Sequence, residues 1–445
     1  MLGKGAPRCH SDGVTLPADE PRSPLDIPDY RRFWLARFLS VFATTGMVVV
    51  LGYQLYDVAR SQYGMSIGTA AFQLGLLGLA QFLPVLLLTP VAGLIADRYD
   101  RRIVAGSAVG IDMVVALVLM LATIAGHLNL PLLFALGALH GTARVFIGPA
   151  MASIAPNVVP VRLMPRAVAI NSMAWQTGSV GGPAIAGLLF AQAPALPYAI
   201  STLLLGLATI SVFRIRPLPP PDENKRAHPL SQIVGGLTFV WYDRFLFGCV
   251  TLDLFAVLLG GATALLPVYA RDILMIGGHH VGANGLGIMR AAPGAGAVVV
   301  ALLLARRPIE SRVGAKMLLA VAIYGAATIG FGLSRDYFFS LLMLASLGAA
   351  DMVSVFIRNT LVQLHTPDGV RGRVSAISGL AISASNELGE MQSGVAAALL
   401  GATGAVVFGG VGAIVITALW AVWFPELRLV RTFADKTLHQ KEHAT

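Results

Sequence analysis

Seven charged residues lie where an apolar chain can least accommodate them. Arg144, Asp253, Arg290, Asp351, Arg358, Glu387 and Glu390 all fall well inside long hydrophobic runs. At the centre of a membrane helix each costs about 2.5–3.5 kcal/mol on the insertion scale, so several can persist only by facing an interior cavity or one another. The chemistry open to such a set is proton binding and ion pairing. Glu387 and Glu390, three apart, share a helical face, as roughly do Asp351 and Arg358. In the second half of the chain these acids outnumber the arginines, which leaves a carboxylate to be protonated, the requirement of proton coupling. Asp253 and Glu387 are the first choices, because neither has a cation one helical turn away on its own run. Asp351 and Glu390 come next. The competing possibility is a set of ion pairs that only hold helices together.

The elements that must position these groups are membrane helices. Of the 445 residues 56% are hydrophobic and 12% charged, and the mean hydropathy is +0.73. Charge at about half its usual share leaves too much apolar surface for a water-soluble fold. Apolar runs bounded by charged or Pro/Gly loops place twelve spans near 33–59, 68–96, 103–126, 130–156, 167–191, 196–214, 245–270, 283–305, 314–334, 337–362, 373–400 and 405–424. With the N-terminus inside, arginines and lysines collect in the inward loops, and the outward loops hold only Arg60, Arg271 and Arg335. The asymmetry puts both termini in the cytoplasm.

The net charge of +9 follows this topology, and no aromatic-basic patch points to nucleic acid. Cys9 and Cys249, in a polar tail and an apolar run, have no metal-ligand company. His-Glu-x-x-His, Gly-x-Ser-x-Gly and Walker patterns are absent from the sequence, so no enzyme activity, metal or cofactor is expected. Asp57 and Asp112 stand nearer span ends and are expected to be solvated or paired. Arg37 is expected to snorkel, Trp34 to anchor at an interface and His140 to be a hydrogen-bonded packing residue.

A polar stretch between Pro217 and Pro229 divides six spans from six. The two sides echo each other at a nearly constant offset: Leu136-Gly137-Ala138 with Leu347-Gly348-Ala349, Val145-Phe146-Ile147 with Val355-Phe356-Ile357, and Tyr30-x-Arg32-Phe33 with Tyr242-x-Arg244-Phe245. The organisation expected is a tail at 1–32, a six-helix bundle at 33–216, a cytoplasmic linker at 217–243, a second bundle at 244–424 and a tail at 425–445.

After the second span comes Gly93-Leu94-Ile95-Ala96-Asp97-Arg98-Tyr99-Asp100-Arg101-Arg102. This Gly-x-x-x-Asp-Arg-x-x-Arg-Arg spacing resembles the signature loop of the major facilitator superfamily of transporters. Gly178-Ser179-Val180-Gly181-Gly182-Pro183-Ala184-Ile185-Ala186-Gly187 is similar to that superfamily's antiporter motif. With the loop from Thr366 to Val374 and Asn386-Glu387-Leu388-Gly389-Glu390, these segments resemble bacterial exporters of the enterobactin-exporter and macrolide-efflux type. The resemblance implies an all-α integral membrane protein of twelve helices in two parallel repeats around a central cavity.

It also implies roles. Gly93, Asp97, Arg98, Arg101 and Arg102 would latch the cytoplasmic side, while Gly178, Gly182, Pro183 and Gly187 would bend and pack the fifth span. The pattern departs at Asp100, where the family usually has glycine, which puts a tight left-handed turn in question. The function expected is a proton-coupled exporter of an amphiphilic small molecule, a drug or siderophore, working by alternating access. It would act as a monomer in the bacterial inner membrane, with substrate, protons and lipid as partners. An uptake symporter on the same fold, and a membrane sensor, are the alternatives.

The topology is testable in a background lacking Cys9 and Cys249. Cysteines at Asn129 or Ala195 should react with a membrane-impermeant thiol reagent from outside, and a cysteine at Glu223 should not. The reverse pattern would invert the assignment.

Overall fold

Helix starts in this chain are written in its capping residues. In a computed structural model, which describes residues 21–218, 229–307 and 309–433, helix α1 (Pro28–Ser61) opens on a proline, and Ser66 caps α2 (Ile67–Arg98) by accepting from Thr69 N. Asp100 caps α3 (Arg101–Ala125), which ends on left-handed Gly126. Asn129 caps α4 (Leu130–Val158), and prolines stand in the first turns of α5 (Met164–Gln192) and α6 (Leu196–Phe213). Such caps satisfy backbone N–H groups that a helix start leaves unpaired.

The expected linker at 217–243 is partly a helix, α7 (Pro229–Tyr242). Residues 219–228 and the expected tails at 1–20 and 434–445 lie outside the described residues. The second half begins with α8 (Arg244–Leu259), capped by Asp243. It continues through short helical turns, Ala262–Leu265 and Leu266–Val268, into a π-turn, Tyr269–Ile273. A two-stranded ribbon, Met275–Ile276 with His279–His280, leads to α9 (Gly282–Arg306), α10 (Val313–Leu333) and α11 (Tyr337–His365). The last long element is α12 (Asp368–Trp423), followed by α13 (Pro425–Leu429).

Every span read from the sequence overlaps one of these helices, the last two sharing α12. Ten segments among the described residues are long and apolar enough to cross a membrane. α12 is interrupted at Gly401 (φ 74°, ψ 165°). A Cβ on Gly389 would stand 3.1 Å from Val257 O and one on Gly412 2.9 Å from a Leu259 methyl, so both arms pack on one stretch of α8 and the chain doubles back at Gly401. α5 has the length of a span, but Asn171, Ser172, Gln176, Thr177 and Ser179 dilute its hydropathy.

The apolar core reveals how the two halves meet. One cluster joins Leu51, Leu55, Tyr56, Leu119 and Leu133 of the first half to Leu266, Tyr269, Leu286, Phe331 and Ala397 of the second. A separate cluster, with Leu246, Cys249, Met317, Ile357, Leu361 and Trp420, belongs to the second half alone. The halves are therefore packed together at the end carrying residues 56–65 and 266–286 and parted at the other. On α12, Gly75 and Gly78 of α2 meet Met391, Gly394 and Glu390, whereas nothing described lies within 4 Å of a Cβ built on Gly372 or Gly379.

Gly401 holds backbone angles that L residues avoid, at a cost of about 1–3 kcal/mol. Gly401→Ala should lower stability by that order, read as a reduced thermal midpoint in detergent, while Gly372→Ala, on regular helix with open space beside it, should not.

Candidate functional site

The buried charges of the sequence collect into two groups. Arg144 of α4 reaches across the interface to Glu387 of α12, with Nη1 2.5 Å from Oε1. Arg144 is 46% exposed and Glu387 9%, so the pair has one foot in the opening and one in the protein. One turn further along α12, Glu390 lines a cavity of about 50 Å³ together with Arg290 of α9, Gln81 of α2 and Thr263. Arg290 donates to Thr263 O at 3.0 Å. A volume of that size holds one or two waters and lies directly under the packed end of the molecule.

The second group is internal to the C-terminal half. Arg358 of α11 forms a buried ion pair with Asp253 of α8. Asp351, two turns earlier on α11, lies within the field of both charges, and Tyr324 of α10, within the field of Asp351 and Asp253, donates its hydroxyl to Gly260 O at 3.1 Å. Asp253 and Glu387 thus have no cation one turn away on their own helices, but each receives one from another helix. Glu390 and Asp351 form no hydrogen bond or salt bridge among the described residues.

Glycines set the helix spacing on either side of this charge. Gly178 packs on Val41 and Phe42 of α1, and a Cβ on Gly46 would stand 2.8 Å from Gly182 O. Gly187 faces the other half, where a Cβ would come 2.6 Å from Ala283 O and 2.7 Å from Gly287 Cα, and Pro183 O faces Gly287. The motif therefore binds α5 to α1 by one set of residues and to α9 by another, as small residues do between membrane helices.

At the signature loop Asp100 adopts φ −56°, not a left-handed turn. Its carboxylate accepts from Arg102 N at 2.9 Å and from Leu218 N at 3.4 Å, and Arg102 donates to Ile215 O at 3.1 Å. The aspartate replaces a turn glycine with a helix cap that also holds the start of the linker. Arg98 is exposed and Arg101 half-buried; the surroundings of Gly93 and the Asp97 side chain lie outside the described residues.

Three side chains singled out in the sequence have definite partners. Asp112, expected to be solvated or paired, is paired: it is 0% exposed and bonded to His140 Nδ1 at 2.9 Å. Arg37 lies 4.9 Å over the Trp175 ring. Trp34 donates to Ile170 O at 3.1 Å, stitching α1 to α5.

The sequence reading also missed a charged seal at the packed end. Tyr56 donates to Asp272 Oδ2 at 2.5 Å, Arg60 Nε lies 3.3 Å from the same oxygen, and Arg271 Nε is 2.7 Å from Asp57 Oδ1. Arg271 and Asp272 project from the π-turn, a distortion common at functional positions. The signal was present: of the three outward arginines, Arg60 has Asp57 three residues before it and Arg271 has Asp272 beside it.

The sequence model of the transmembrane secretion effector family matches residues 20–442. The chain belongs to this family of the major facilitator superfamily. It is similar to an enterobactin exporter of Escherichia coli O81 (strain ED1a), 27% identical over 382 residues, which are 85% of this chain and 86% of that one. The same fold is seen in a POT family transporter in complex with 5-aminolevulinic acid (TM-score 0.68, 14% identity, covering 90% of this chain and 97% of that one). It recurs in a bacterial homologue of the human lysosomal transporter Spinster, inward-facing and unoccupied (TM-score 0.65, 15% identity, covering 92% and 97%). Its relatives and neighbours are transporters, and the chain is a transporter on this fold, spanning the membrane many times.

Charge-assisted bonds of the seal contribute about 1.5–3 kcal/mol where they are shielded and under about 1 kcal/mol where exposed. Asp272→Asn should therefore favour opening of that end by about tenfold. The measure is reactivity of a cysteine at Ala264, which lines the cavity, toward an impermeant thiol reagent. Unchanged reactivity would reduce the cluster to surface ion pairs.

Proposed function

We propose that the protein is a proton-coupled exporter of amphiphilic small molecules in the bacterial inner membrane, with both termini cytoplasmic. The observation that carries this reading is the Arg144–Glu387 pair. It is an ion pair between the two halves at membrane depth, open on one side to the parted end. A carboxylate there has two exclusive partners. Ionised, Glu387 holds Arg144 and with it the other half; protonated, it releases Arg144. A proton and the contact between halves thus compete for one oxygen, which is what couples a proton to a change of state. Glu390, beside Arg290 in the cavity one turn away, is placed to act in sequence with it.

The direction of transport is supported by the exporter relative and by the Gly178–Gly187 segment. In the proposed topology the packed end faces outside and the parted end the cytoplasm, so the described state would load substrate from within. Substrate would enter between α2, α5, α9 and α12, where Leu83, Leu86, Met173 and Leu302 are exposed. Gly93, Asp97, Arg98, Arg101 and Arg102 would latch that end when it closes.

The test is transport in inside-out vesicles over a panel of amphiphilic drugs and siderophores. Glu387→Gln should lose uphill accumulation driven by a pH gradient by about 5–150-fold, the span of typical coupling energies, while downhill exchange persists. Accumulation against a gradient by Glu387→Gln would remove the carboxylate from the coupling step and leave the pair a structural tie.

A further inference from the structure

The N-terminal half holds a titratable pair that the Arg144–Glu387 mechanism does not use. His140 on α4 and Asp112 on α3 meet in the interior of the bundle, 4% and 0% exposed, joined by Nδ1 to Oδ1 at 2.9 Å. Asp112 Oδ2 is buried with no hydrogen-bond partner among the described residues. A carboxylate whose second oxygen is unsatisfied in an apolar bundle is a costly group to leave fully charged. One added proton makes the pair neutral overall.

The surroundings bear on both access and effect. From α2, Gln81 packs against Gly137, whose Cβ would stand 3.7 Å from its Cγ, and its backbone abuts Gly141; the same Gln81 lines the cavity that holds Glu390 and Arg290. α2 between 67 and 96 and α6 between 196 and 213 have no charged residue in their sequences. α6 lays the Thr209 methyl against Gly110 of α3, with the Thr209 hydroxyl buried and without a hydrogen-bond partner among the described residues. α1 carries Arg37 toward the α5 side, over Trp175. The nearest charge on α4 is Arg144, one turn beyond His140 on the same side of the helix and bound to Glu387 of the other half.

We propose that Asp112 and His140 form a second proton-binding site that sets the strength of the tie between the halves through Arg144. Loading adds one proton from the cavity water to the imidazole, giving imidazolium with Nδ1–H donated to Asp112. The pair is then neutral overall, and Arg144 is left wholly to Glu387. Unloading returns the proton to water and leaves a net negative charge one turn from Arg144, which draws the guanidinium back from Glu387. A proton in the N-terminal half and the contact to the C-terminal half thereby become linked, and the linkage is reciprocal. The inference rests on proton coupling as proposed above but assigns a different pair of residues to it.

The test reads conformation. In a Cys9→Ser, Cys249→Ser background, spin labels at Val168 of α5 and Leu302 of α9, both exposed toward the parted end, report the distance between halves in nanodiscs. Measurements are made at about pH 5.5 and about pH 8.5, either side of the range in which histidine changes charge. The wild type should hold more of the wide-open distance at the lower pH and lose it at the higher. Asp112→Asn and His140→Gln should each remove the gain of the wide-open distance at the lower pH, with thermal midpoints near wild type showing that the bundle folds. A loss of the imidazolium infrared signal in the same variants is the companion readout. A pH response kept by both variants, one of opposite sign, or none in the wild type would overturn the proposal. A response removed only by Glu387→Gln would give the sensing to Glu387 alone. Should the wild type fail to drive export by a pH gradient, the exporter reading falls, and the distance measurement still decides whether this pair binds the proton.

Discussion

A charge in hydrocarbon must find its partner inside the protein, and that constraint organises this molecule. Arg144, half exposed in the opening, takes Glu387 from the second bundle. Asp253 takes Arg358, and Arg290 takes the backbone carbonyl of Thr263 just beyond the end of α8. Each pairing fixes a helix rotation as firmly as an apolar contact does, because the alternative is several kcal/mol of unpaired charge. The pairs differ in consequence. One that lies within a half stiffens it, and one that spans the halves must be made and broken whenever they move.

Glycine supplies the complementary geometry. The charges need helices close enough to touch, and the contacts at Gly75, Gly78, Gly187 and Gly287 bring backbones of opposite halves together where any Cβ would collide. Such faces slide and part without unlocking side chains. Polar ties of limited number over a smooth surface suit a protein whose halves exchange neighbours.

Much of the fold was legible because membrane helices announce themselves through long apolar runs, caps and basic loops. Asp100, Asn129, Pro131 and Pro197 mark helix starts that the structure contains. The helical linker segment Pro229–Tyr242 was less legible, since its 14 residues, though largely apolar, are too short to stand beside the spans. The site was legible in membership and not in pairing. Sequence spacing reports neighbours on one helix, so it identified Glu387 with Glu390, but the partners of Glu387, Asp253 and Asp112 all come from other helices. Asp112 and His140 were set aside one at a time, each ordinary alone. Only the packing of α3 on α4 makes them a unit.

The seal at Asp57, Arg60, Arg271 and Asp272 has the reciprocity of an isologous dimer interface, in which each side gives what it receives. Each half contributes one acid and one base, and each acid answers a base across the junction. A single chain built of two like bundles is thus fastened as two subunits would be. Such a fastening works by pairs: reversing the sign at one of these positions sets like charges against each other, and a matching reversal in the other half restores the attraction, across roughly 200 residues of intervening sequence.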